Sequence, residues 1–117
     1  MSESLNQNFN HLKVHTQYSI CEGAAKIDEL QEYCKSNKIK SLGISDTSNL
    51  CGALEFAEKI SKSGTQPIIG TQINLKEQNT IGRVTIYAQS EDGYKNLTKL
   101  SSLSYLNSNT TVSYTHL

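Results

Sequence analysis

"IKSLGISDTSNLCGALEFAEKISKSG", residues 39–64, sets two periodicities side by side. "IKSLGIS", 39–45, is a short, largely apolar run that reads as a strand. In "ALEFAEKISKSG", Ala53, Leu54, Ala57 and Ile60 recur at helical spacing as one stripe, and Gly64 is a natural stop past the helix end. Between them lies the polar segment "DTSNLCG". A strand that passes through a polar turn into an amphipathic helix is half of a βαβ unit, so the fold depends on what flanks it.

Upstream, "KIDELQEYCKSNK" carries Ile27, Leu30 and Cys34 at helical spacing, with acids early and lysines late as the helix dipole favours. Before it, residues 10–16 read as a first strand. Downstream, "QPIIGTQINL" is a further strand, with Pro67 at its start where a missing N–H does least harm. "KEQNTIG" reads as a polar loop and "RVTIYAQ" as a strand in which Val84, Ile86 and Ala88 alternate with Thr85 and Tyr87. So short a link predicts antiparallel pairing, because a parallel crossover needs a longer path. Ser90 is placed to cap a third helix, with Glu91 and Asp92 in its first turn and Tyr94, Leu97, Leu100 and Leu103 as its buried stripe. The order β-α-β-α-β-β-α is α/β, with at least three strands expected to be parallel. In such folds chemistry collects at the C-terminal strand ends, here "HTQYSICEG", "SDTSNLCG" and the end of "IIGTQINL".

Composition excludes several functions. Lys plus Arg equals Asp plus Glu, 11 each, which leaves no basic excess to grip nucleic acid unaided. No apolar run is long enough to span a membrane, and the N-terminus lacks the layout of a secretory signal, so the expected compartment is the cytoplasm. Three cysteines, Cys21, Cys34 and Cys51, without C-x-x-C spacing argue against a disulfide framework or a zinc knuckle. Cys34 fits the core face of its helix. Cys21 and Cys51 each follow a strand, and idle thiols are the expectation over a soft metal site with His15. Lys35, Lys38 and Lys40 read as a solvated helix end.

In "HLKVHTQYS", residues 11–19, His11, Lys13 and His15 share one face of a strand. Two imidazoles there could hold a divalent cation, but the Lys13 ammonium between them would repel it. Asp46 is open to two readings: a residue of a polar turn in which Asp46, Ser48 or Asn49 caps the next helix, or part of a site.

Taken together, "HLKVHTQYS", "GAAKIDEL", "ISDTSNLCGALEF", "QPIIGTQI" and "EDGYKNLTKLSSLSYL" resemble the opening of the alpha subunits of bacterial DNA polymerase III, whose first domain is a polymerase-and-histidinol-phosphatase (PHP) domain, a distorted β/α barrel. The resemblance runs from about His11 to Tyr105 and implies the first, incomplete part of such a barrel. In metal-binding members the first strand ends in H-x-H, where this chain has Lys13 and His15. The second ends in Asp-His, where it has Asp46 and Thr47. A glutamate position in the third is Gln72, and Glu22 stands where the first loop often carries Asp. The resemblance thus implies a degenerate metal site: His15 and Asp46 survive, Glu22 is a substitute, and the ligands at Lys13, Thr47 and Gln72 are lost. It implies no cofactor for this segment and Mg2+ at a polymerase active site outside it. It implies template-directed DNA synthesis by the whole subunit, and a non-catalytic PHP scaffold that docks a proofreading exonuclease beside other replicase subunits. The alternative is a metal-dependent phosphoesterase such as a histidinol phosphatase, which needs the ligands that Lys13, Thr47 and Gln72 replace. Lys13 is expected to substitute for the lost ion by neutralising Asp46, with Glu22 as a secondary target.

The last residues follow no such pattern. Val112–Leu117 can be encoded by the end sequence of a transposon adapter used to prepare sequencing libraries, so residues 1–111 are read as the PHP portion and 112–117 as a non-native tail.

Overall fold

The computed structural model describes residues 9–106 and 111–113. Helix α1, Ile27–Asn37, leads into strand β1, Ser41–Thr47; helix α2, Ala53–Lys62, into strand β2, Gln66–Glu77. Strand β3, Thr80–Tyr87, helix α3, Glu91–Leu106, and a short strand β4, Thr111–Ser113, follow. β1 and β2 are parallel, with Ile44 opposite Ile69 and Thr47 opposite Gln72. β2 and β3 are antiparallel, with Gln72 opposite Thr85. The expected loop at 76–82 is mostly strand: pairing continues to Glu77 and Thr80, and only Gln78 and Asn79 turn the chain, Gln78 at φ 52°. β4 runs parallel to β2 at Asn74–Lys76, so pairing reaches into the expected non-native tail, whose residues 114–117 lie outside the described residues.

The expected first strand is an extended segment with two parallel bridges, Val14 to Ile44 and Thr16 to Ala25. Two hydrogen bonds explain why no ladder forms. Gly43 N donates to His11 O (2.8 Å) and Ser45 N to Val14 O (2.9 Å), so three residues of the segment match two of β1. The extra residue is a bulge, which shifts His11 out of phase with His15. Gly43 permits the close crossing, because a Cβ there would lie 2.7 Å from the Leu12 carbonyl oxygen.

Pairing register sorts the sheet into two faces. Leu42 and Ile44 of β1, Ile69 and Ile73 of β2, and Val84 and Ile86 of β3 face the helices, in one cluster with Ile27, Cys34, Phe56 and Ile60 and a second with Leu100. Ser45, Thr47, Gly70, Gln72, Asn74, Arg83, Thr85 and Tyr87 take the opposite, polar face. On α2 the buried stripe is Ala53, Phe56 and Ile60; Leu54, expected inside, is 72% exposed. Phe56 sits three residues after Ala53 and four before Ile60, so its row points at the sheet, while Leu54 is rotated off it. On α3, Leu97 and Leu100 are buried, whereas Tyr94 is exposed. Ser90 caps α3 through Gly93 N (3.0 Å), as expected. Gly64 follows α2 at φ 77°. No helix among the described residues is long and apolar enough to cross a membrane.

A surface network ties the first loop to both early helices. Tyr18 Oη donates to Glu55 Oε2 (2.8 Å), and Lys59 Nζ donates to Glu55 Oε1 (2.9 Å) and to Asp28. The Lys59 ammonium, then the Tyr18 hydroxyl, hold the Glu55 carboxyl below its usual value of 4.5. A depressed folded-state pKa means that the network's stabilisation is complete above the ordinary glutamate value and is lost as pH falls through the lower one. Glu55→Gln should therefore flatten the acid limb of thermal melts taken between about pH 3 and about pH 7. Phe56→Ala should cost roughly 3–5 kcal/mol in urea unfolding, and Leu54→Ala no more than about 0.5 kcal/mol.

Candidate functional site

Asp46 ends the buried stretch of β1, on the helix-side face with Leu42 and Ile44. It is 2% exposed, and a carboxylate so placed needs donors. The loop after the bulged segment supplies three. Thr16 N (2.6 Å) and Ser19 Oγ (2.7 Å) donate to Oδ1, and Thr16 Oγ1 (2.7 Å) donates to Oδ2. Ser19 Oγ in turn accepts from Thr47 N (3.1 Å), and Thr71 Oγ1 donates to the Asp46 carbonyl (2.8 Å). Asp46 thus fastens the loop to β1 and β2. It does not cap α2, whose N-cap is Gly52 with no side-chain cap. Asn49 instead accepts from Cys51 N (3.2 Å) and donates to Tyr18 O (3.0 Å), and Ser48 takes φ 56°.

The other candidate residues gather on the polar face. The Val14–Ile44 bridge puts His15 beside Ser45. Glu22 Oε2 accepts from Thr47 Oγ1, and Glu22 Oε1 pairs with Arg83 Nη1 at 3.4 Å. The Thr47 hydroxyl first, then the Arg83 charge, pull the Glu22 carboxyl below its ordinary value, against partial desolvation. Gln72, 5% exposed, pairs with Thr47 across the strands, and its Oε1 has no hydrogen-bond partner among the described residues. The same holds for His15 Nδ1 and Ser45 Oγ. Below them Tyr87 crosses the sheet: a Cβ at Gly70 would lie 2.6 Å from its Cδ1, and its hydroxyl donates to Leu12 O (2.9 Å).

Lys13 is exposed and makes no ion pair among the described residues, contrary to the expectation that it replaces an ion. Asp46 lies on the helix-side face, away from His15, and its donors are already neutral groups, so no ammonium is called for there. Asp46 is satisfied by neutral donors and Glu22 by Thr47 and Arg83. The described residues by themselves do not bring together the donors of a multinuclear metal centre. Both Asp46 oxygens are occupied on the far side of the strand from His15, and among the described residues no three His, Cys, Asp or Glu side chains converge. All three cysteines are free: Cys34 is buried, which pushes its thiol pKa up, and Cys21 and Cys51 are exposed.

Thr16, Ser19 and Arg83 were not singled out by sequence reasoning. Thr16 and Ser19 carry no motif, and only the fold brings them to Asp46. Arg83 did carry a signal: it is the only arginine among 11 basic residues.

The chain matches the PHP domain family over residues 11–116. It is similar to the DNA polymerase III subunit alpha of Borreliella burgdorferi (39% identity over 88% of this chain and 10% of that protein) and of Rickettsia felis (41% over 83% and 8%). It therefore spans about a tenth of the length of the curated relatives it matches. Its fold is similar to that of a crystallised Bifidobacterium adolescentis protein described as a metal-dependent phosphoesterase, with a TM-score of 0.64 at 16% identity over 85% of this chain and 34% of that one. With its one-sided helices, parallel β1 and β2, and match over nearly the whole described length, the chain belongs to the PHP domain family.

Proposed function

We propose that the chain is the N-terminal part of the alpha subunit of a replicative DNA polymerase, with a PHP domain that acts as a non-catalytic scaffold. Template-directed synthesis and its Mg2+ belong to later parts of that subunit, in the cytoplasm. Similarity to DNA polymerase III alpha subunits supports the polymerase reading. The scaffold reading is carried by one observation: the surviving family carboxylate, Asp46, spends both oxygens on Thr16 and Ser19. A phosphoesterase centre needs such oxygens free to hold cations and activate water. Lys13, Thr47 and Gln72 take three of the positions where the resemblance implies ligands, which leaves His15 and Glu22 as the other donors in the described residues. Released from catalysis, the domain serves as a docking surface for a separate proofreading exonuclease. We assign Val112–Leu117 to read-through into adapter DNA, which any other codon choice in the underlying nucleotides would refute.

The full-length protein should release no nucleotide from DNA 3′ ends and no phosphate from a phosphomonoester when Mn2+ or Zn2+ is added. Metal-stimulated hydrolysis abolished by His15→Ala would overturn the scaffold reading. Mixed with the exonuclease subunit, the protein should co-elute with it in size-exclusion chromatography, and separate elution would count against docking. If Asp46 is a structural anchor, Asp46→Asn should lower stability by roughly 1.5–3 kcal/mol per hydrogen bond lost, by the same amount in the presence of Mn2+ as in a chelator.

A further inference from the structure

Metal-binding sites at strand mouths gather carboxylates, and the cation offsets their repulsion and ties their loops together. Here the loop carboxylate Glu22 lies on the polar face, and among the described residues no three His, Cys, Asp or Glu side chains gather there. The side chains that reach it come from both sides of β2: Thr47 on β1 and Arg83 on β3. Gln72 lies between them in the register, opposite Thr47 on one side and Thr85 on the other. Glu22 therefore lies over β2 as a strap whose ends rest on two different strands.

We propose that Arg83 is the resident cation of this mouth. Its guanidinium supplies, through Glu22, the positive charge and the cross-strand tie that a metal ion would otherwise supply. This rests on the reading of the site as metal-free.

Three observations bear on the choice of Arg83. It is the single arginine in a chain that otherwise uses lysine, its charge is permanent, and its Nη1 reaches Glu22 Oε1 at 3.4 Å. Its partner oxygen on Glu22 is distinct from the one bound to Thr47, so one carboxylate engages both strands at once. Finally, β3 makes a second crossing of the same kind, from Tyr87 to Leu12 O, at the start of the same N-terminal segment. The antiparallel hairpin thus clasps the segment at both ends: at its bulge by Tyr87 and at its loop by Arg83. The pair is partly exposed, 49% for Arg83 and 34% for Glu22, so its role is to position the loop more than to stabilise the fold.

Hydrogen exchange of the loop amides Gln17–Gly23 in the full-length protein tests this. Arg83→Gln and Glu22→Gln should each speed that exchange about two- to fivefold, and the double variant should add nothing to either. Arg83→Lys, which keeps the charge, should retain most of the protection. Unchanged exchange in Arg83→Gln, additive effects in the double variant, or a lysine variant as exposed as the glutamine one would overturn the assignment. Should Arg83→Gln not fold, the Glu22→Gln and Arg83→Lys exchange rates decide. Adding Mn2+ or Zn2+ to the unaltered protein should leave the loop unprotected beyond its native level. Protection by the ion would sink the metal-free reading itself, whereas additivity of the variants would sink only the role of Arg83.

Discussion

The Asp46 carboxylate is the point on which the first third of the chain depends. Residues 9–26 make no strand ladder of their own, because their bulge spoils the register with β1. What places it is a buried charge that must be satisfied. Leaving a carboxylate without donors in a nearly dry site costs several kcal/mol, and the loop at Thr16–Ser19 is the source of three donors. Burial of Asp46 therefore dictates the loop's conformation. That in turn fixes where Tyr18 meets Gly52 and Glu55, and where Glu22 meets Thr47. The chain of cause runs from one side chain to a loop, and from the loop to the mouth of the sheet.

Most of the architecture was legible in the sequence because it follows from periodicity. The strand–helix alternation, the antiparallel hairpin and the Ser90 cap all depend on neighbours within a few residues. The errors fall where three-dimensional phase matters. Leu54 was placed inside and Phe56 overlooked, although both are apolar and two residues apart; only the docking angle of α2 chooses between them. The first segment was expected to alternate strictly, and one extra residue between His11 and Val14 breaks that phase, while Lys13 is exposed. The site was legible in identity but not in geometry. Asp46, His15 and Glu22 do lie near the strand mouth, yet alternation along β1 sends Asp46 to the helix side and leaves the others on the polar side.

That division bears on how the mouth of the sheet balances its charge among the described residues. Thr47 is a shorter side chain than the histidine it replaces in the family pattern, and its hydroxyl reaches Glu22 as a neutral donor. Gln72 is neutral, so the buried position beside Thr47 carries no carboxylate that would need a cation to balance it. Neutral side chains at Thr47 and Gln72 keep the electrostatic cost of the mouth low. Gln72 Oε1 and His15 Nδ1, which have no hydrogen-bond partner among the described residues, leave polar capacity on the polar face of the sheet.

Magnitudes then rank the two fastenings of the loop. Hydrogen bonds to a buried charge contribute about 1.5–3 kcal/mol each, and Asp46 accepts three within a site from which water is excluded. An exposed ion pair contributes about 0.2–1 kcal/mol, and the 3.4 Å contact between Glu22 and Arg83 is of that class. The base of the loop is therefore held several times more strongly than its tip. Changes at Thr16, Ser19 or Asp46 act on the fold, whereas changes at Glu22 or Arg83 act on the reach of the loop over β2. The first group sits where an unsatisfied charge has no solvent to turn to, and the second where water can take over a lost contact.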